Sequence, residues 1–136
     1  MHTVFAILTK RNFFIDPMPE KKYTWYKIAD AVTAFDFPAN GLLELEANGK
    51  KICLAKHNDR LLACAHKCPH AGGTMAGGYT DAVGNIVCPL HRYKFNLQSG
   101  RNVSGEGYFL KTFPVETRDD GVYIGFSENS LFGWLK

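Results

Sequence analysis

Residues 42–65, with the sequence LLELEANGKKICLAKHNDRLLACA, contain two successive hairpin patterns. Apolar and acidic side chains alternate before Asn48-Gly49, which is the spacing of a half-buried strand. Asn48-Gly49 supplies the two residues with positive φ that a two-residue hairpin turn requires. Asn58-Asp59 marks a second turn. The stretch therefore predicts three strands in antiparallel order, at residues 42–47, 52–56 and 61–65.

Further short apolar runs flank this stretch on both sides. Turn residues separate the runs, and no period of 3.6 residues continues long enough to predict a helix. Residues 66–90 nearly lack the strand pattern and form one long irregular insertion. About eight short strands at this spacing predict an all-β fold, an antiparallel barrel or sandwich. The further predicted strands are residues 25–28, 86–87, 93–97, 109–115 and 122–126.

The composition is typical of one globular domain of this class. Of 136 residues, 46% are hydrophobic and 21% are charged, and the 10 Phe, 6 Tyr and 13 Gly favour strands and turns. The formal net charge of +3 is too small to indicate a nucleic-acid-binding surface. No apolar run approaches the roughly 18 residues that cross a bilayer. We therefore expect neither nucleic acid nor a membrane as a partner.

The sequence predicts a domain over residues 23–127, preceded by an arm (residues 1–22) and followed by a tail (residues 128–136). Four apolar residues in the tail predict a short helical turn that covers apolar surface. Lys10-Arg11 faintly resembles a twin-arginine export signal, but the apolar stretch that such a signal needs is missing after it. We therefore expect a cytoplasmic protein.

Two short motifs in the irregular insertion carry the chemistry. Cys68-Pro69-His70 and Cys88-Pro89-Leu90-His91 each place one thiolate and one imidazole on a tight loop. Two such loops brought together offer four ligands to a soft or borderline metal. Structural zinc is one candidate, although zinc fingers place the cysteines together and the histidines together. Small residues after the first motif let backbone N–H groups approach buried sulfur, and these are Gly72, Gly73, Gly77 and Gly78.

The paired motif resembles that of the Rieske iron–sulfur family, in which two Cys bind one iron of a [2Fe–2S] cluster and two His bind the other. The resemblance extends from about residue 25 to residue 126. It implies a small antiparallel β-domain with a two-loop cluster-binding subdomain, about residues 66–107, at one tip. It also implies one cluster per chain, with Cys68 and Cys88 on the ferric iron and His70 and His91 on the iron that is reduced.

Four positions differ from the high-potential members of that family. Those members carry further cysteines, joined in a disulfide between the loops, where this chain has Gly73 and Leu90. They also carry a serine and a tyrosine that bond cluster sulfur, where this chain has Tyr93 and Phe95. Fewer hydrogen bonds stabilise a reduced cluster less, so we expect a low reduction potential, roughly −150 mV.

A low potential on a small domain resembles the Rieske ferredoxins. The resemblance implies an electron carrier without catalytic residues, which takes one electron from a flavoprotein reductase and passes it to a terminal oxygenase or similar enzyme. The length argues against an oxygenase subunit, which would need a second domain for its mononuclear iron. Two alternatives stay open, namely the small Rieske subunit of an assimilatory nitrite reductase and a redox-sensing interaction module.

Three further expectations concern residues around the motifs. A turn at Asn58-Asp59 places Cys53 opposite Cys64, and we expect two buried thiols because directly opposed strand residues form only a strained disulfide. Strand alternation points His66 away from the ligands and predicts a solvent-exposed side chain. Residues 101–107 lack the prolines that are usual in this loop of the family, which predicts a flexible loop.

Overall fold

The computed structural model describes residues 22–70 and 72–128. Two single-turn 3-10 helices in this part of the chain span Val32–Ala34 and Met75–Gly77. Everything else regular is strand, which confirms the all-β prediction. The ten strands of the described residues are β1 (Tyr23–Ala29), β2 (Leu42–Ala47), β3 (Lys50–His57), β4 (Arg60–Ala65), β5 (Tyr79–Thr80), β6 (Asn85–Val87), β7 (Lys94–Asn96), β8 (Thr112–Phe113), β9 (Val115–Arg118) and β10 (Gly121–Ser127).

Three small sheets are built from these strands. Their orders are β1-β10-β9, β2-β3-β4-β8 and β5-β6-β7. Tyr23–Phe126 groups as one unit. The predicted arm and tail lie outside the described residues except for Lys22 and Glu128, whose backbones share a hydrogen bond of 2.9 Å. No described helix is long and apolar enough to cross a membrane.

The two predicted hairpin turns are confirmed. Asn48 and Gly49 have φ of 51° and 77°, and Asn58 and Asp59 have φ of 51° and 65°. These are the left-handed values that a type I′ turn needs, and they match the right-handed twist of the flanking strands. The second turn sets the register of β3 and β4, in which Cys53 lies opposite Cys64 as predicted.

Strand β3 is buried on both faces and lies between two hydrophobic cores. Cys53 and Ala55 face a first core, which the metal-site motifs also enter, whereas Ile52 and Leu54 face a second core with Ile124 of β10. All four of these β3 side chains are fully buried. A continuous apolar run of this kind is typical of a strand between two packed layers. The sheet of β3 therefore supports the metal-site motifs on one side while the other side packs on the rest of the domain.

The structure differs from the predicted strands in two places. The strand expected at residues 109–115 is divided into β8 and β9 at Pro114, which has no N–H to donate to a ladder. Phe109 is 64% exposed and forms only an isolated bridge with Arg101. Strand β5 was not predicted, because its two residues follow Gly77-Gly78 and are recognisable only through their pairing with β6.

Among the described glycines, Gly78 leaves the least space for a side chain. A Cβ atom on Gly78 would lie 1.8 Å from the carbonyl oxygen of Val87, at the end of β6. A Cβ atom on the neighbouring Gly77 would lie 3.7 Å from Pro89 Cγ, which is an ordinary contact. Only a residue without a side chain fits at position 78, and this contact brings the segment after the first motif against the strand that leads into the second.

These two glycines give a matched pair of variants. We expect Gly78→Ala to lower the free energy of unfolding by about 2 kcal/mol or more, because the backbone must move to relieve the clash. Gly77→Ala should change it by less than about 0.5 kcal/mol. Urea unfolding followed by circular dichroism measures both values. Equal stability of the two variants would contradict the packing described here.

Candidate metal centre

The two motifs fold into loops with the same backbone closure. In the first loop (residues 68–73) the N–H of Gly72 donates to the carbonyl of Cys68 at 2.9 Å, and in the second (residues 88–93) Arg92 donates to Cys88 at 3.0 Å. Gly72 and Arg92 both have positive φ, 74° and 63°. A second bond fixes each cysteine, from Cys68 N to Gly73 O at 2.7 Å and from Cys88 N to Tyr93 O at 2.9 Å. Each cysteine is thus held by backbone bonds of its own loop.

The loops bring three of the four predicted residues into one group. One ligand atom each of Cys68, His70 and Cys88 lies within 4.8 Å of the others. Cys68 Sγ is 3.3 Å from His70 Nδ1. Both cysteines are buried, with exposed fractions of 2% for Cys68 and 0% for Cys88. Two buried sulfur atoms beside an imidazole nitrogen are a donor set suited to zinc or to an iron–sulfur cluster.

His91 lies beside this group rather than inside it. Its Nδ1 is 2.8 Å from Nε2 of His70, and the ring centroids are 4.9 Å apart. In this contact one ring nitrogen donates a proton and the other accepts it. The ring of His91 is exposed and that of His70 is half-buried. The site therefore has a buried sulfur side and an accessible imidazole side.

Two tyrosines extend the imidazole side. The ring of Tyr93 stacks on His70 with centroids 3.9 Å apart and planes inclined by 26°. Tyr108 lies 5.7 Å from His70 and 5.8 Å from Tyr93 between ring centroids. Burial raises the pKa of Tyr93, and the nearby Glu106 adds to that increase. Sequence reasoning missed Tyr108, because it lies on an irregular segment with no spacing that relates it to the motifs.

Side-chain hydrogen bonds hold residues 101–107. Asn102 Oδ1 accepts from the N–H groups of Glu106 at 2.5 Å and Gly107 at 3.0 Å, and its Nδ2 donates to the carbonyl of Lys94 at 3.1 Å. The predicted flexible loop rested on its lack of prolines. In the structure, the side-chain amide of Asn102 restrains the loop, because it bonds backbone groups within the loop and the carbonyl of Lys94 on β7.

The prediction of an exposed His66 was wrong. Its side chain is 15% exposed, and its buried Nδ1 lies 3.8 Å from Glu44 Oε1, beyond hydrogen-bond distance. The chain folds back at this point, with Lys67 opposite Thr74 and the N–H of Met75 donating to the carbonyl of His66. Strand alternation predicts only which way a side chain points. It cannot show that a later segment of the chain folds back over His66.

Gly73 and Leu90 face each other across the two loops. A Cβ atom on Gly73 would lie 3.0 Å from Leu90 Cγ and 3.1 Å from Cys88 Sγ. Any larger residue would crowd the sulfur. Phe95, fully buried in the core that contains both motif cysteines, contributes no hydroxyl group.

Asn40 is a second residue that the sequence did not reveal. Its Nδ2 donates to the carbonyls of Ala76 and Gly78 at 3.0 and 2.9 Å, which ties the 3-10 turn after the first loop to the start of β2. An asparagine before a glycine in the sequence predicts only a turn.

Comparison with curated proteins identifies relatives of two kinds. The ferredoxin component of the naphthalene 1,2-dioxygenase system of Pseudomonas aeruginosa is 28% identical over 102 residues, covering 74% of this chain and 97% of the relative. Cholesterol 7-desaturase nvd of Bombyx mori is 26% identical over 107 residues, covering 74% of this chain but only 23% of the desaturase. The chain thus spans nearly all of the first relative and about a quarter of the second.

Among solved structures, one described as the small subunit of an NADH-dependent nitrite reductase from Mycobacterium tuberculosis has a similar fold. The TM-score is 0.65 at 16% identity, over 77% of this chain and 96% of that one. The family model for the Rieske [2Fe-2S] domain matches residues 24–114, which include both motifs and most of the strands. The chain belongs to the Rieske [2Fe-2S] domain family.

Proposed function

We propose that Cys68 and Cys88 bind one iron of the [2Fe–2S] cluster and that His70 and His91 bind the other. The proximity of Cys68, His70 and Cys88 supports this assignment, as does the contact of His91 with His70. The buried sulfur atoms suit a ferric iron with thiolate ligands, and the imidazoles lie on the exposed side. Gly73 leaves room beside the Cys88 sulfur that a side chain would fill.

We further propose that the protein is a one-electron carrier and supplies no catalytic residues. The observation that carries this proposal is the exposed imidazole side beside two buried cysteines, which gives an electron a short path to the surface. Leu90, in the second loop, and Tyr108, whose ring lies near His70, are 51% and 42% exposed. Exposed apolar side chains of this kind favour contact with another protein. The similarity to a dioxygenase ferredoxin component over 97% of that relative supports the same role.

The cluster supplies the one-electron chemistry, and the chain's residues hold and shield it. As partners we propose a flavoprotein reductase as the electron donor and a terminal oxygenase, or a similar enzyme, as the electron acceptor.

We also propose that the protein is located in the cytoplasm. Cys53 and Cys64, which are opposed and buried, support this location because a thiol pair of this geometry suits a reducing compartment. The hydrogen bond with Cys53, together with burial, raises the pKa of the Cys64 thiol well above its usual value.

The small subunit of a nitrite reductase is the second candidate function. The fold similarity of TM-score 0.65 favours it, although an identity of 16% indicates fold rather than activity. Transfer of electrons from the reduced protein to a nitrite-reducing sirohaem enzyme, and not to an oxygenase, would support this candidate over the first.

The ligand assignment predicts the metal content. Protein produced with ample iron should contain two irons and two labile sulfides per chain, and Cys68→Ser should abolish the visible absorption because a hydroxyl is a poor ligand for a soft metal. The double variant Cys53→Ala, Cys64→Ala is the matched control and should keep its cluster. One zinc per chain without sulfide, or loss of colour in the control, would contradict the assignment.

The reduction potential should respond to a hydroxyl at Phe95. We expect a wild-type potential of roughly −150 mV. Phe95→Tyr should raise it by on the order of 50 mV, because a hydrogen bond worth about 1 kcal/mol to sulfur is stronger in the reduced state. Phe113→Tyr, in the second core, should leave the potential unchanged. Spectroelectrochemical titration measures the potentials of the wild type and both variants. A wild-type potential above about +100 mV would contradict the expected lack of hydroxyl groups that donate hydrogen bonds to cluster sulfur.

Electron transfer should depend on the apolar surface beside the loops. With a flavoprotein ferredoxin reductase as the electron donor, Leu90→Glu should slow reduction about tenfold, because a charge placed in a docking interface must be desolvated. Val83 is 76% exposed in the β5–β6 turn, at the opposite end of β6 from Cys88, and Val83→Glu is the control. Stopped-flow absorption measures the rates. Equal rates for the two variants would exclude the loop surface as the route of the electron.

A further inference from the structure

One acidic side chain is fixed close to the imidazole side of the metal centre. Asn102 Nδ2 donates both to the carboxylate of Glu106, at 2.9 Å, and to the carbonyl of Lys94, at 3.1 Å. Lys94 directly follows Tyr93, whose ring stacks on His70. Through this one amide, the carboxylate is joined to the first residue of β7, which directly follows the aromatic neighbour of a proposed cluster ligand.

Further bonds restrict the position of the carboxylate. The hydroxyl of Ser104 donates to Glu106 and accepts from the N–H of Lys94 at 2.9 Å. The backbone of Glu106 is held as well, by its N–H bond to Asn102 Oδ1 at 2.5 Å. An exposed glutamate ordinarily retains several side-chain conformations, and holding one of them costs conformational entropy. Bonds to both the backbone and the side chain therefore indicate a fixed charge.

Glu106 keeps its negative charge and is not paired with a cation in the described residues. Hydrogen bonds from Ser104 and Asn102 lower the pKa of Glu106. Glu106 in turn contributes to the raised pKa of Tyr93. Within residues 22–70 and 72–128, the ion pairs of the structure do not include Glu106. The carboxylate is thus an unpaired negative charge that Asn102 joins to Lys94, the residue after Tyr93.

We propose that Glu106 lowers the reduction potential of the cluster and that Asn102 is the positioning residue that holds it in place. This inference rests on the proposed ligands. Reduction adds one electron on the histidine side, and a fixed negative charge nearby repels it. The expected effect on the equilibrium constant for reduction is up to about tenfold, which corresponds to about 59 mV for one electron.

The test compares the midpoint potentials of loaded protein at low ionic strength. Glu106→Gln should raise the potential, and Glu106→Asp should fall between that variant and the wild type. Asn102→Ala should raise the potential by a smaller amount, because the carboxylate remains but loses the amide that holds it in place.

Glu46→Gln is the control. Glu46 is exposed near the Asn48-Gly49 end of β2, whereas Asn40 joins the opposite end of that strand to the loops. The effect of Glu106→Gln should shrink in high salt through screening.

Each outcome of these potential measurements either supports or overturns the proposed role of Glu106. A rise with Glu106→Gln, no change with Glu46→Gln and an unchanged visible spectrum would support the proposal, since a merely structural role of Glu106 would not shift the potential of an intact cluster. An unchanged potential in loaded Glu106→Gln, or the same shift in the control, would overturn it and leave the carrier function intact. Wild-type protein that takes up no cluster would overturn the ligand assignment and this inference together.

Discussion

The close approach of Gly78 to the carbonyl oxygen of Val87 is the contact on which the arrangement of the metal centre depends. A Cβ atom at that position would lie 1.8 Å from the oxygen, so the chain can pass there only without a side chain. The segment that leaves the first loop consequently lies against the strand that leads into Cys88. Two loops separated in sequence are thereby brought together, and each then holds its cysteine with bonds between its own backbone groups. The position of the sulfur atoms follows from backbone packing.

The same packing separates the two sides of the site. The central sheet, with both faces of β3 buried, forms a floor of apolar side chains beneath Cys68 and Cys88. The imidazoles lie on the other side, where His91 is exposed and Tyr93 covers His70. Under the proposed ligand assignment, the thiolate-bound iron would be shielded by the core and the histidine-bound iron would lie near the surface. Exchange of an electron with a partner protein requires that the histidine-bound iron lie near the surface.

Much of the fold was predictable because short-range chemistry determines it. Asn48-Gly49 and Asn58-Asp59 specify their turns locally, and the second turn fixes the pairing of Cys53 with Cys64. The features that escaped prediction depend on contacts between distant parts of the chain. Asn40, Glu106 and Tyr108 carry no local signal of their roles, and His66 is covered by a segment eight to nine residues further on. The motif spacing identified the proposed ligands, but only the folded loops define their surroundings.

We propose that both His70 and His91 bind the cluster, and the nitrogen ligands can be counted directly. His91 lies 2.8 Å from His70 but outside the group formed by the other three side chains, so its assignment is the most demanding part of the proposal. Pulsed electron paramagnetic resonance of the reduced protein, labelled with ¹⁵N-histidine, detects each nitrogen bonded to the paramagnetic cluster. We expect two strongly coupled histidine nitrogens in the wild type and one in His91→Ala or His91→Cys protein that retains a cluster. One coupled nitrogen in the wild type, or none, would contradict it.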